Sequence, residues 1–172
     1  MILPKIRDPR FITIRRGGLL SDEDHHLLAS WAASCAEHVL EYFEKECPGD
    51  DRPRKAIEAA HLWARGELKL DEAKKAAWHS NAAARDLSGA ARFAALSAGQ
   101  AAVVGHVAAH ELGAAAYAIR AVMAACTGNE KADKGRAECA WQLGQLPASL
   151  RDLVIDDEKR RDEICWGVFS LR

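Results

Sequence analysis

Charge of one sign is not in excess in this chain: 24 Lys and Arg stand against 25 Asp and Glu, a formal net charge of -1. No bulk field therefore draws it onto nucleic acid or an anionic membrane, and both partner classes are disfavoured. Long apolar runs are scarce as well. The N-terminal MILPKIRDPRF lacks an apolar core of about 7 to 15 residues and a small-residue cleavage site, so it does not read as a secretion signal. The most apolar region, Ala90 to Ala125, is interrupted by Arg92, Gln100, His106, His110, Glu111 and Arg120, and its alanines supply little transfer free energy. It does not read as a membrane span. Cys35, Cys47, Cys126, Cys139 and Cys165 are odd in number and contain no C-x-x-C pair, against both a disulfide framework and a zinc knuckle. Reduced thiols in a cytoplasm are the expectation.

Catalytic signatures are missing too. The glycines of RRGGLL lack a preceding strand-helix unit and a following Lys-Ser or Lys-Thr, so they form no phosphate loop. Cys35 and Cys139 fall on helix faces rather than on a sharp turn that would present a nucleophile. The run DDRPRK has acid and base side by side, and reads as an ion-pair and capping cluster at a helix start.

What is present is helical period. With 172 residues and 49% hydrophobic content the chain can bury one core, and it is taken as one all-α domain of six to eight helices. After Ser21, an N-cap with Asp24 three residues on, apolar positions recur at Leu28, Trp31, Cys35, Val39 and Tyr42, predicting a helix that ends before Pro48. His25 and His26 fall in its first turn and are expected in solvent. Pro53 suits a first turn capped by Asp50 or Asp51, and that helix buries Ile57, Ala60 and Trp63 or Ala64 before stopping at Gly66. Asp71 caps a third helix carrying Ala73, Ala77 and Trp78. Ser88 opens the alanine-rich region, Gly128 closes it, and Asn129 caps a helix that stops at Pro147. A last segment from Leu150 to Phe169 is expected to break at IDD, where Asp156 or Asp157 would restart it. Only RFITIRRGG looks extended. Residues 1–20 are therefore set apart as an N-terminal arm that lies over the helices of 21–172 or pairs with its copy in a homodimer. Its basic bias, Lys5, Arg7, Arg10, Arg15 and Arg16 against Asp8, reads as a solvated charge run.

A single helix from Gly89 to Ala125 would span roughly 55 Å, far beyond a globule with a radius of gyration of roughly 16 Å, so a break is expected at Gly105. Ala94, Ala98, Ala102, Gly105, Ala109 and Gly113 would form a seam of small residues on which helices approach closely. His106 and His110, four residues apart, sit at that break. On a helix they could share one face and converge on a metal, with Cys35, Glu37 or His38 supplying a further ligand. A zincin helix, however, needs H-E-x-x-H, and the order here is H-x-x-x-H-E. Structural histidines, hydrogen-bonded to the groups that a helix break frees, are the expectation. His38 and the DDRPR run are their expected neighbours.

Three stretches, FITIRRGGLLSDEDHHLLASWAASCAEHVLEYFE, DDRPRKAIEAAHLWARGE and ARFAALSAGQAAVVGHVAAHELGAAAYAIRAV, together resemble the Imm-five-like family of immunity proteins of bacterial polymorphic toxin systems. The resemblance runs from about Phe11 to Val122. It implies an all-helical cytoplasmic protein that binds and neutralises a cognate toxin without catalysis or cofactor, and it carries over no toxin-contacting residues. The polar groups singled out as a candidate cluster are Glu37, His38, Asp51, Arg52, Arg54, His106, His110 and Tyr117. Asp50, Asp51, Asp156 and Asp157 are the candidate toxin-facing charges. Two other readings stand beside this one: a metal-dependent helical hydrolase using His106 and His110, and a helical scaffold or ligand-binding regulator.

Overall fold

A computed structural model describes residues 2–128 and 130–171, and the expected cap Asn129 lies outside the described residues. Among the described residues eight α-helices follow one another: α1 Asp22–His38, α2 Leu40–Glu46, α3 Arg52–Ala64, α4 Leu70–Ala83, α5 Gly89–Ala102, α6 Glu111–Ala124, α7 Glu130–Gln145 and α8 Ala148–Arg161. No strand occurs among the described residues, and the molecule is one all-α domain. Its centre is the pair α5 and α6. Around α5 lie α1, α2, α3 and α4, while α6 also touches α1 and α7.

Small residues make that centre. Ala94, Ala98, Ala102 and Ala109 of the seam are buried, and so are Ala114, Ala115 and Ala118 on α6. Helices meeting through alanine come close enough for hydroxyls to reach across: Ser80 Oγ donates to the Ala95 carbonyl and Ser97 Oγ to the Ala114 carbonyl, each at 2.7 Å. Two buried hydroxyls thus tie α4 to α5 and α5 to α6 with no unpaired polar atom of their own. Larger side chains, among them Leu28, Phe43, Leu112 and Ile119, fill the space around the seam.

Helix starts follow local chemistry in part. Ser21 Oγ accepts from the Asp24 amide at 3.0 Å, and Asp22, Glu23 and Asp24 face the positive end of α1. Asp50 accepts from the Arg52 amide at 3.1 Å ahead of Pro53. Asp71 is not the cap of α4; Lys69 takes that place, its amide donating to Glu72 at 3.3 Å. The stripe from Leu28 to Tyr42 spans two helices, because the backbone leaves helical geometry at Val39 with φ -113. Neither proline nor glycine marks the break. Conversely, α8 runs unbroken through IDD: Asp157 meets Arg161 four residues on at 2.6 Å, so the pair braces the helix where a restart was expected. Trp63 is only half-buried and Trp78 is 62% exposed.

The arm is not extended. Pro9 fixes the first turn of a 3-10 segment, Pro9–Phe11, with Asp8 accepting from the Arg10 amide at 2.9 Å; a second, Ile14–Arg16, ends at Gly17 with φ 81. One isolated bridge joins Thr13 to Leu20. The chain doubles back so closely that a Cβ on Gly18 would stand 2.0 Å from the Ile12 carbonyl oxygen. Phe11 and Leu20 are buried in the core, and Arg10 bridges Asp8 to Asp156 on α8. The arm thus lies over its own helices.

Candidate functional site

At the expected break the chain leaves α5, turns through residues 103–107 and makes a 3-10 turn, Ala108–His110, before α6. His106 and His110 therefore do not share a helical face: Val107 between them is extended, with φ -141 and ψ 112. Facing this turn are the end of α3 and the arm. Between them lies a cleft of about 500 Å³, walled by Arg7, Arg15, Arg16, His25, Trp63 and His106. Trp63 can lie against the turn only because residue 105 is glycine; a Cβ there would stand 2.5 Å from the indole Cε2. His25 is buried rather than solvated. Its Nε2-H donates to the Val104 carbonyl at 2.8 Å, satisfying an acceptor freed by the break, and its ring meets Trp63 edge-on at 4.9 Å.

The cleft is cationic. Arg15 is paired with Asp22 at 2.9 Å, and Arg16 Nη1 donates to the His106 carbonyl at 3.2 Å. Among the described residues neither Arg7 nor Arg16 has a carboxylate partner. His106 is exposed at the cleft mouth, and its pKa is lowered by partial burial and by the positive charges of Lys74, Arg16 and Arg7.

His110 points elsewhere. Its Nδ1-H donates to Gln100 Oε1 at 2.8 Å, and burial holds its pKa at about 4. Gly113 makes room for this contact, since a Cβ there would stand 2.6 Å from Gln100 Oε1. The break histidines thus differ: His110 is tied across the α5-α6 junction, while His106 offers its ring to the cleft.

The other residues singled out from the sequence do not converge on either histidine. His38 stacks on Trp141 at 3.6 Å, and its Nδ1 meets Glu138 at 2.8 Å. Glu37 faces His61 at 3.7 Å. Arg52 pairs with Asp50, Lys55 with Asp51 and Arg54 with Glu44, each within a few residues or on the adjoining α2. Tyr117 belongs to an aromatic group on α5, α6 and the C-terminal turns. There the Arg120 guanidinium is held 4.0 Å from the Phe93 ring centre and 4.1 Å from that of Trp166. Asp156 is half-exposed and held by Arg10 and Arg160. Asp157 is no surface charge at all: it is buried at 3% exposure. Among the described residues no group of three or more His, Cys, Asp and Glu is placed to hold a metal, and Cys35 is enclosed in the core.

Asp157 instead belongs to a buried cluster with Glu111 and Arg161. Arg161 Nη1 donates to Asp157 at 2.6 Å, while Nη2 donates to the carbonyls of Ala109 at 2.7 Å and Ile2 at 3.1 Å. Glu111, wholly buried, lies 3.5 Å from Nη1, and burial pushes its pKa well up. One guanidinium thus fastens α8, the start of α6 and the arm together.

Comparison with known proteins adds one result. The model of a protein family described as "Imm-5 like putative immunity protein" matches residues 18–149. The chain belongs to that family. No curated protein and no solved structure matches it. In this Imm-5 like immunity chain the matched span contains Trp63, Gly105, His106 and His110, while Arg7, Arg15 and Arg16 precede it. Sequence reasoning singled out His106, His110 and Gly105 but read Arg7 and Arg16 as part of a solvated charge run and His25 as a solvated first-turn residue. The only signal for the arginines was the basic bias of the arm, and their position beside a cleft depends on how the arm folds back.

Proposed function

We propose that this chain is a non-catalytic immunity protein that binds a cognate toxin in the cytoplasm and neutralises it by occupying the toxin's working surface. Membership of the Imm-5 like family carries the reading. The site chemistry is consistent with it. The cleft has donors and an indole suited to recognition. Binding tight enough to leave almost no free toxin requires a Kd of about 1 nM or better, near -12 kcal/mol.

The acidic surface residues Asp50, Asp51 and Asp156 are assigned a secondary role in this reading, as charges that steer the toxin during approach. Each already has a cation of its own chain within 2.8 Å, which reduces its outward field. Co-expression of this chain with the toxin encoded by the adjacent gene tests the function. Survival of cells that die with the toxin alone, together with recovery of a complex, is the expected result. Equal killing with no complex would remove the assignment.

A further inference from the structure

The cleft beside the helix break has three properties that an empty structural crevice does not need. First, two of its three arginines are left without a carboxylate. Arg7 and Arg16 stand exposed on the arm with no carboxylate partner among the described residues, and His106 is on the opposite lip. Like charges brought together at one mouth repel, so the arrangement costs stability and favours whatever anion enters. Lys74, paired with Asp71 at 3.4 Å, lies near His106 beyond that lip. Second, the floor is preorganised. Gly105 lets the Trp63 indole lie against the turn, and the rings of His25 and His26 hold it edge-on at 4.9 and 5.0 Å. Third, the arm that carries the arginines also exposes Ile6 at 88%, Ile14 at 64% and Leu19 at 70%, half of the large apolar side chains exposed in the described structure. Cations and exposed aliphatic groups on the arm, beside an indole from α3, have the composition of a protein-binding surface rather than of a solvated charge run.

We propose that this cleft receives an acidic segment of the toxin, one carboxylate seated between Arg7, Arg16 and His106 and an adjoining apolar side chain laid against Trp63 and the arm. The proposal rests on the immunity reading and gives it a surface. Arginine suits the task because its planar fork holds a carboxylate through two parallel hydrogen bonds. The two walls also differ in origin. Trp63, Gly105 and His106 lie inside the family-matched span, whereas the arginines lie before it, so the arm can set which toxin is recognised while the matched helices supply the frame.

The experiment is a binding measurement with an inactive variant of the toxin encoded by the adjacent gene. It compares the unaltered chain with the double variant Arg7→Glu/Arg16→Glu and with Arg7→Lys/Arg16→Lys. Arg7 makes no hydrogen bond to another described residue in the structure, so the single variant Arg7→Glu serves if the double variant melts early. Charge reversal is expected to weaken binding by about a hundredfold or more, as for charge pairs shut off from water, and the lysine pair by about tenfold or less. Saturating pyrophosphate should compete with the toxin. If the unaltered chain binds the toxin and the reversed variants bind it within about threefold, the cleft assignment falls while the immunity reading stands. If the unaltered chain does not bind the toxin, both fall. Pyrophosphate that binds without displacing toxin would give the cleft to a small anionic ligand instead. A homodimer in sedimentation that dissociates in the reversed variants would give it to a second copy.

Discussion

His110 shows what one buried side chain does to stability. Its pKa is held at about 4 by burial, against an ordinary value of 6.5, and that of His25 is lowered in the same direction for the same reason. A proton therefore binds the unfolded chain more readily than the folded one. Stability is full above pH 6.5 and is lost as pH falls toward 4, by about 3 kcal/mol for His110. His110→Gln, which can still donate to Gln100 but does not titrate, should flatten that slope in urea melts between pH 7 and 4.5. An unchanged slope would place the acid sensitivity elsewhere. Gly113→Ala should displace the Gln100 amide and destabilise by about 1 to 3 kcal/mol, the cost of overpacking a filled site. At this scale the sequence was partly legible. The break at Gly105 followed from chain length against globule size. The separate directions of His106 and His110 did not, because a four-residue spacing implies a shared face only while the helix continues.

Among the elements, α8 is tied to the arm and to the turn before α6 through one residue. Its Arg161 is buried with Asp157 and Glu111 and donates to two backbone carbonyls. Arg161→Met should cost about 3 to 5 kcal/mol, because it leaves a buried carboxylate and two carbonyls without their donor. Glu111→Gln should cost far less, since burial already favours the protonated form of that carboxyl. Comparable losses in the two variants, measured by denaturant unfolding, would show that the cluster does not act through Arg161. The starts of α1, α3 and α5 and the stop of α3 before Gly66 were legible because caps, glycine and period agreed there, whereas the end of α1 at Val39 and the start of α6 at Glu111 were not. The arm was not, because alternating apolar residues suggested a strand while Asp8, Pro9 and Gly17 favoured tight turns, and the local turn chemistry won. Nor was the continuity of α8 visible. IDD looked like a stop, and only the inward turn of Asp157 toward Arg161 makes it a brace.

For the whole molecule, near-neutral net charge conceals an uneven distribution, and this sets how a partner approaches. Arg7 and Arg16 at the cleft have no carboxylate partner among the described residues, while Asp50, Asp51 and Asp156 are each paired internally. Asp50→Lys/Asp51→Lys should therefore slow association with the toxin by about threefold or less, with little change in dissociation, and the effect should vanish near 1 M salt. An effect larger than that of reversing Arg7 and Arg16 would move the binding face to the α2-α3 corner. The all-helical class was legible from period alone, and the family from three stretches of sequence; a binding surface was not, because it is assembled from the arm, α3 and a turn distant in sequence. The most direct measurement is a titration of the purified toxin's own activity with this protein, read at toxin concentrations well above Kd. Stoichiometric binding predicts a linear fall in activity that ends at one equivalent and returns when the complex is dissociated in denaturant and the toxin refolded. Neutralisation completed by a small fraction of an equivalent, as turnover would give, or activity unchanged at excess, would contradict it.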